Sequence, residues 1–272
     1  MARLKSTLQI TGGISGLSFY TIKGGDTVYV RTKGGPSAKQ LKVGEEFAVV
    51  RKHQVEWSAC VMFSRALKDA MGDVYKFADF NVSPVWNGLG KKIMALDTEH
   101  PLGERSLRLT QCREWLAGYN LNKNFPFNSV FRGTLQLEID KAQQHLTVMV
   151  PRINPSNDLY NVRKLPYFRF VFSLGFVSDF VCYPEAKYQK YASANGIIAG
   201  ASQSILTDWF SAADITDGQT IDVVVNTPVK EENRTFVTFI ASAGIQFGTI
   251  GLDGSIEAVK NACCGKIMIT EG

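Results

Sequence analysis

The chain has 272 residues, of which 45% are hydrophobic and 20% are charged, and its formal net charge is +5. This composition is typical of a globular protein and excludes a disordered tail or a fibre, and the length allows one large domain or two of ordinary size. No uncharged apolar run of about 18 residues occurs and no apolar signal segment follows the N-terminus, so we expect cytoplasmic synthesis and no membrane contact.

Residues 1–35 are predicted to form an N-terminal hairpin arm. The β-rich runs LSFYTI (17–22) and TVYVRT (27–32) flank a turn, Lys23-Gly24-Gly25-Asp26. Glycine supplies the positive φ that tight hairpin turns need. The first 44 residues carry seven Lys and Arg against one acidic residue, so the arm is strongly basic.

Residues 36–124 are predicted to be a helical region. Pro36 and Ser37 suit the first turn of a helix, a break is expected at residues 71–73, and a second helix follows Ser83. A third helix is predicted over residues 109–116, with Gly118 as its left-handed cap. The apolar residues at near-helical spacing that predict the packed face of the first helix are Phe47, Val50, Trp57, Val61 and Leu67.

Residues 125–272 are predicted to be a β domain. TLQLEID (134–140) and HLTVMV (145–150) alternate apolar and polar residues and are joined by four residues, as in a hairpin. Further strands are predicted in TIDVVVNT (220–227), RTFVTFIASAGIQFG (234–248) and GKIMIT (265–270). The stretch FRFVFSLGF adds an aromatic stripe, with Gly175 as a candidate bulge. The members of this stripe are Phe168, Phe170, Phe172, Leu174 and Phe176.

These patterns predict an α+β fold. An N-terminal β-hairpin and a helical region are followed by an antiparallel immunoglobulin-like β-sandwich, because six or seven short strands are separated by turn signals. A distorted barrel is the alternative for the β domain. The predicted domain boundaries are 1–35, 36–124 and 125–272.

The glycine-rich start of the chain does not match a nucleotide-binding loop. A phosphate cradle leads from a strand directly into a helix N-terminus, whereas β-forming residues follow Gly16 here. His53, His100 and His145 are far apart in sequence and lack the i, i+4 spacing of a helical zinc site. We therefore expect neither a cofactor nor a metal.

Nucleophilic catalysis has no local signature either. No Gly-x-Ser-x-Gly elbow occurs, and Cys60 and Cys112 are interpreted as small apolar residues on helix core faces. Glu138 and Asp140 are two residues apart on one strand face, which is interpreted as the solvent face of a hairpin. We expect no catalytic residue, although an enzyme whose mechanism cannot be inferred from motifs remains an alternative.

The five cysteines indicate a reducing environment. Their number is odd and none lies in a Cys-x-x-Cys pair, so we expect reduced, partly buried thiols. A redox or metal role for the adjacent Cys263 and Cys264 is the alternative, which is disfavoured because neighbours in a strand point to opposite faces. Their role stays open at this point.

Charge and aromatic residues make the arm the candidate interaction site. Residues 1–132 contain 19 Lys and Arg and 11 Asp and Glu, a net +8, whereas residues 133–272 contain 11 and 14, a net −3. Such asymmetry is typical of a polyanion-binding arm, of electrostatic matching between subunits, or simply of a solvated basic surface. The candidate interaction residues are Phe19, Tyr20, Tyr29, Arg31 and Lys33.

Three stretches resemble a family of uncharacterised proteins from Bacteroidetes bacteria and their mobile elements. They are GLSFYTIKGGDTVYVRTKGG (16–35), FAVVRKHQVEWSACVMFSRALKDA (47–70) and WLAGYNLN (115–122). The match is carried by a Gly-x-x-x-Phe-Tyr hairpin with an Arg-x-Lys-Gly-Gly close and is looser at Trp57–Cys60. The resemblance implies a non-enzymatic part of a phage-like or other assembled particle.

The leading functional hypothesis is therefore a structural or assembly protein. Its arm would contact other subunits or further copies of the same chain, and its destination would be a virion or particle. The alternative is a nucleic-acid-binding protein that uses the same arm, because basic side chains bind phosphates and aromatic rings stack on bases.

Overall fold

The computed structural model describes residues 2–4, 11–22, 25 and 27–272, with side chains from residue 11 onwards. The chain divides into two compact units, Met1–Arg51 and Lys52–Gly272. Within the described residues, no helix is both long enough and apolar enough to cross a membrane. The domain boundaries expected at residues 35 and 124 stay a prediction.

The first unit contains a four-stranded antiparallel sheet. Its strands are β1 (Ala2–Leu4), β2 (Gly12–Ile14), β3 (Leu17–Thr21) and β4 (Val28–Thr32), in the order β1-β4-β3-β2. The predicted hairpin is confirmed as β3 and β4, while turn residues 23, 24 and 26 lie outside the described residues. β2 and β3 are joined through Ser15 (φ 42°) and Gly16 (φ 80°), both left-handed as a two-residue hairpin turn requires.

The sheet of the first unit is followed by helical segments. α1 (Ala38–Val43) begins with a capping box, in which Ser37 and Gln40 exchange side-chain to backbone hydrogen bonds. The long helix α2 (Ala48–Met71) continues into the second unit and runs on as a 3-10 segment, Gly72–Phe77. α3 (Ser83–Met94) has Pro84 in its first turn, as expected.

The third predicted helix is wrong. Residues 109–116 contain two 3-10 turns, Leu109–Gln111 and Arg113–Trp115, separated by the non-helical Cys112. The backbone beyond them bonds to a strand instead of to itself, because Gly118 N–H donates to the Ile267 carbonyl and Leu121 N–H to the Gly265 carbonyl, both at 2.9 Å. Gly118 does adopt the expected left-handed conformation, with φ 81°.

The rest of the second unit is built mainly from antiparallel strands. The strands are β5 (Gln136–Asp140), β6 (His145–Val150), β7 (Tyr167–Ser178), β8 (Phe180–Cys182), β9 (Tyr191–Ser193), β10 (Gly200–Leu206), β11 (Phe210–Ser211), β12 (Gln219–Val224), β13 (Val237–Ile250) and β14 (Ile256–Glu271). A central sheet has the order β10-β7-β13-β14 with β11 also on β7, a second sheet has the order β12-β6-β5, and β8 pairs with β9. Two one-turn helices also belong to this unit, α4 (Phe127–Val130) before β5 and α5 (Pro155–Asp158) between β6 and β7.

The aromatic stripe of β7 forms one core of this unit, as predicted. Its five members are buried together with Leu146, Val148 and Val223 from the three-stranded sheet. The hairpin of β5 and β6 also has its predicted four-residue connection and alternation. The protein thus combines helices with antiparallel sheets, and the immunoglobulin-like topology stays a prediction.

The other face of β7 packs against α2 at very short range. A Cβ atom at Gly175 would overlap the carbonyl oxygen of Ala70, and one at Gly200 would overlap that of Ala66. The predicted bulge at Gly175 is wrong, because β7 keeps a continuous register with both neighbouring strands across this residue. Glycine is required there by the close approach of a helix backbone.

The buried face of α2 differs from the predicted one. Leu67 is buried as expected, whereas Val50, Trp57 and Val61 are 41%, 45% and 46% exposed. A helix this close to a sheet accommodates mostly small side chains at the contact, so hydrophobicity alone misidentifies its inner face. The residues of α2 that are buried are Glu56, Ala59, Cys60, Phe63, Ser64, Ala66, Leu67, Ala70 and Met71.

Candidate interaction surface of the N-terminal sheet

The register of β3 and β4 brings the two candidate tyrosines together. Tyr20 pairs with Tyr29, and Ser18 pairs with Arg31. Directly opposed residues of an antiparallel pair lie on the same face of a sheet, as do residues two positions apart. Tyr20, Tyr29 and Arg31 therefore share one face, on which the two rings stack with centroids 5.8 Å apart and an interplanar angle of 26°.

The cationic residues flank this aromatic pair. The Arg31 guanidinium carbon lies 5.5 Å from the centroid of the Tyr20 ring, within the range of a cation–π contact. The Lys33 N–H donates to the Gly16 carbonyl at 2.6 Å and so extends the β3–β4 ladder. The Lys33 side chain crosses Gly13 of β2, where an added Cβ atom would lie 2.5 Å from the Lys33 Nζ. We call Tyr20, Tyr29, Arg31 and Lys33 the basic aromatic face.

Phe19, the fifth candidate, lies on the opposite face. It pairs with Val30, and Val28 follows two positions from Val30 on the same side of β4. Val28 is only 4% exposed, whereas Phe19 and Val30 are half-buried. Phe19 therefore contributes to packing of the sheet, and the structure separates it from the other four candidate residues.

The described part of the first unit has little interior. Val28 is the one residue among positions 11–22, 25 and 27–51 that is fully buried. In the described part of the sheet, β2 and β1 are the two edge strands. A small sheet with exposed edges and a nearly empty core gains stability when another surface covers it.

The second unit contains an ionic cluster around Glu56 that was not predicted from the sequence. Glu56 of α2 is completely buried and accepts hydrogen bonds from Arg105 Nε and Nη2, both at 2.7 Å, from Gly103 N–H at 2.9 Å, and from Lys91 Nζ. Burial alone would raise the pKa of Glu56, but the donors from Arg105, Lys91 and Gly103 outweigh it and lower the pKa to about 2. This carboxylate is ionised at neutral pH and connects α2, α3 and the following loop through its hydrogen bonds.

Three potential metal ligands also meet near the end of α3. Oxygen or nitrogen atoms of Asp97, Glu99 and His100 lie within 4.8 Å of one another. Asp97 already accepts hydrogen bonds from the N–H groups of Glu99, His100 and Ser106, which hold its pKa below the usual range despite desolvation. Asp97 and Glu99 line a pocket that is also lined by the cationic Arg108. The absence of a metal stays a prediction. The i, i+3 spacing of Asp97 and His100 was the available sequence signal.

The residues considered for nucleophilic chemistry are poorly suited to it. Burial raises the pKa of both Cys60 and Cys112 to about 11, which keeps these thiols protonated near neutral pH. All five cysteines are free thiols. Glu138 and Asp140 lie on the exposed side of β5, as predicted.

The adjacent cysteines on β14 occupy different environments. Cys264 is buried in the core that contains the aromatic stripe, whereas Cys263 is half-buried at the edge of a pocket. Desolvation raises the pKa of Cys263 to about 11. The two side chains therefore diverge, as expected for neighbours in a strand.

No protein-family model matches the chain, and no curated protein or solved structure gave a match.

Proposed function

We propose that the protein is a non-enzymatic structural or assembly protein, a component of a phage-like particle or other multi-subunit assembly. Its basic aromatic face contacts another subunit. The observation that carries this proposal is the grouping of Tyr20, Tyr29, Arg31 and Lys33 on one face of a small sheet that has almost no buried core. Incorporation into the particle follows synthesis in the cytoplasm.

The opposite net charges of the two parts of the chain support contact between copies of the same protein. Residues 133–272 carry a net −3 and residues 1–132 a net +8, so a basic arm of one copy is complementary to the β region of the next. Contacts between different surfaces of identical subunits are head-to-tail, and they produce rings or filaments. In this proposal the central and three-stranded sheets form an immunoglobulin-like sandwich that presents the acidic surface.

Light scattering after size-exclusion chromatography tests the proposal. The full chain at tens of micromolar should form oligomers that dissociate as salt is raised, because exposed charges are screened. The double variant Arg31→Glu with Lys33→Glu should be monomeric. The control Lys39→Glu with Lys42→Glu makes the same charge change at exposed positions of α1 and should still associate. A strictly monomeric wild type, or equal loss of association in both variants, contradicts the proposal.

Nucleic-acid binding is the second candidate, favoured by the Tyr20–Tyr29 stack beside Arg31. Aromatic rings next to cations bind single strands by stacking on bases and neutralising phosphates. Fluorescence anisotropy with a labelled single-stranded oligonucleotide should then show affinity that falls steeply with salt. Replacing Arg31 and Lys33 with glutamine should reduce the slope of log affinity against log salt by about 1.4 for two lost phosphate contacts. Absent or salt-independent binding excludes this candidate.

A further inference from the structure

A small pocket in the second unit has the features of a ligand site. Its volume is about 100 Å³, and its lining combines mostly apolar side chains with one charged residue, Arg163, and no carboxylate. Phe125 and Tyr160 stand at the rim with ring centroids 6.5 Å apart, and both are nearly half exposed. Concave, mainly apolar pockets with a few polar groups are the usual form of small-molecule sites.

The wall of this pocket is rigidly held. The Asn161 side chain donates to the Leu165 carbonyl at 2.7 Å and accepts from the Leu165 N–H at 3.0 Å. These two hydrogen bonds join the ends of the loop formed by residues 161–165. Arg163 Nη1 donates to the Lys260 carbonyl at 3.1 Å and so fastens the loop to β14. A pocket formed before the ligand arrives loses less conformational entropy on binding.

Two residues at or next to the pocket have an unusual backbone conformation. Among the described residues, five non-glycine residues have positive φ, and two of them are Lys164 (φ 52°) in this loop and Asn261 (φ 59°) in the pocket wall. Such conformations are unfavourable for residues with a Cβ atom and concentrate at functional sites. Asn261 lines the pocket, and Lys164 lies between Arg163 and Leu165, which also line it.

The positive charge at the rim of the pocket favours an anionic ligand. Among the described residues, the Nε and Nη2 atoms of Arg163 have no hydrogen-bond partner and the guanidinium makes no ion pair. Its neighbours Lys164 and Lys260 add positive charge, whereas the Asp79 carboxylate, which is outside the lining, acts electrostatically on Cys263. A planar guanidinium with two donors available suits a carboxylate.

We propose that this pocket binds a compact apolar carboxylate, with the hydrocarbon group in the cavity and the carboxylate at Arg163. A cavity of about 150 Å³ holds a benzene ring, so 100 Å³ suits a smaller branched group of about three or four carbons. Such a ligand is either a free branched-chain acid or the C-terminal residue of a peptide. The site belongs to the second unit and is independent of the function proposed for the basic aromatic face.

Protection of Cys263 from alkylation tests the proposal, because this half-buried thiol lines the pocket. Because the Cys263 thiol is largely protonated at neutral pH, the full chain is treated with excess iodoacetamide at about pH 9, and modification is followed residue by residue by mass spectrometry. Cys182, also half-buried and outside the lining, is the internal control. 3-Methylbutanoate should slow modification of Cys263 and leave that of Cys182 unchanged, whereas 3-methylbutanamide should protect Cys263 much less.

Variants of Arg163 identify the carboxylate contact. Arg163→Gln should weaken protection by 3-methylbutanoate about fivefold or more, whereas Arg163→Lys, which keeps the charge but not the two-donor geometry, should weaken it less. N-acetylleucine, compared with 3-methylbutanoate, distinguishes a peptide C-terminus from a free acid, and tighter binding of either supports the site. No protection by either acid, equal protection by the amide, or undiminished protection in Arg163→Gln overturns the proposal.

Discussion

Tyr20 and Tyr29 stack across β3 and β4 with their ring centroids 5.8 Å apart, and Arg31 lies over the Tyr20 ring on the same face. This arrangement joins two residues nine positions apart in sequence into a single surface feature. It follows from the register of the hairpin, because a shift by one residue would move one tyrosine to the other side of the sheet.

Substitution of Tyr20 should alter the local stability of the sheet. Tyr20→Phe keeps both the ring stack and the Arg31 contact, whereas Tyr20→Ala removes both, at a cost of about 1–2 kcal/mol. Amide hydrogen exchange of residues Val28–Thr32 measures this difference. We expect faster exchange in Tyr20→Ala than in Tyr20→Phe, and equal rates would show that the ring contacts contribute nothing to the sheet.

Glu56→Gln should destabilise the second unit by about 2–4 kcal/mol, because Arg105 and Lys91 lose the carboxylate that compensates their partly buried charges. The matched control is Asp69→Asn, an exposed position on the same helix, which should change stability by less than about 0.5 kcal/mol. Urea denaturation followed by circular dichroism measures both. Similar effects of the two substitutions would contradict the role given to Glu56.

The pH dependence of the free energy of unfolding, compared between wild type and Glu56→Gln, tests the ionisation of Glu56. The pKa of Glu56 is lowered from 4.5 to about 2, so its contribution is fully present above pH 4.5 and is lost as pH falls towards 2. The stability difference between wild type and Glu56→Gln should therefore shrink over this range. A difference that stays constant from pH 6 to pH 2 is not compatible with an ionised Glu56.

Asp179 should have the opposite pH dependence. Burial raises its pKa from 3.8 to about 6, although it accepts hydrogen bonds from Thr110 Oγ1 at 2.6 Å and Thr110 N–H at 3.1 Å. The folded state binds the proton more tightly, so this residue lowers stability as pH rises from about 4 to about 6, by roughly 3 kcal/mol in total. Asp179→Asn keeps both contacts, because the Thr110 hydroxyl also accepts hydrogen bonds.

Urea denaturation of wild type and Asp179→Asn between pH 4 and pH 6 tests whether the pKa of Asp179 is raised in the folded protein. The variant should gain stability relative to wild type as pH rises from 4 to 6 and should keep this advantage at neutral pH. Parallel curves would show that Asp179 has an ordinary pKa in the folded protein.

Two glycine-to-alanine substitutions should have effects of opposite sign. Gly175→Ala places a methyl group against the Ala70 carbonyl and should cost about 3 kcal/mol or more, since neither backbone can withdraw. Gly88, inside α3, has no atom within 4 Å of an added Cβ, so Gly88→Ala should stabilise the protein by up to about 1 kcal/mol. Thermal unfolding measures both changes. Tolerance of Gly175→Ala would contradict the close packing of α2 on β7.

The hairpin β3–β4 and the strands β5, β6, β7, β12, β13 and β14 were predicted from the sequence, whereas β2, the strands β8 to β11 and the helix contacts were not. Alternation identified β5 and β6, which bury one apolar face, and the aromatic stripe identified β7, which is buried on both faces. The packed face of α2 was misassigned, since five of its nine buried residues are Ala, Cys or Ser and its exposed ones include Trp57 and Val61. The segment 109–116 has helical spacing, but hydrogen bonds to β14 beyond it compete with a helix.

The candidate surface was predictable in composition and only partly in geometry. Sequence selected the aromatic and basic residues of the hairpin, but only the register separates Phe19 from Tyr20, Tyr29 and Arg31. The Glu56 cluster was not predictable, because Lys91 and Arg105 are 35 and 49 positions away and a charged residue on a helix is expected outside.

Site-specific photo-crosslinking tests the central claim most directly. A photoreactive phenylalanine derivative replaces Tyr20 in the basic aromatic face or, as the control, Trp115, which is 45% exposed and lies outside the acidic region 133–272. Illumination of the full chain at tens of micromolar should give covalent oligomers from position 20 and far fewer from position 115. Covalent oligomers that form equally from both positions, or from neither, would contradict a subunit contact through this face.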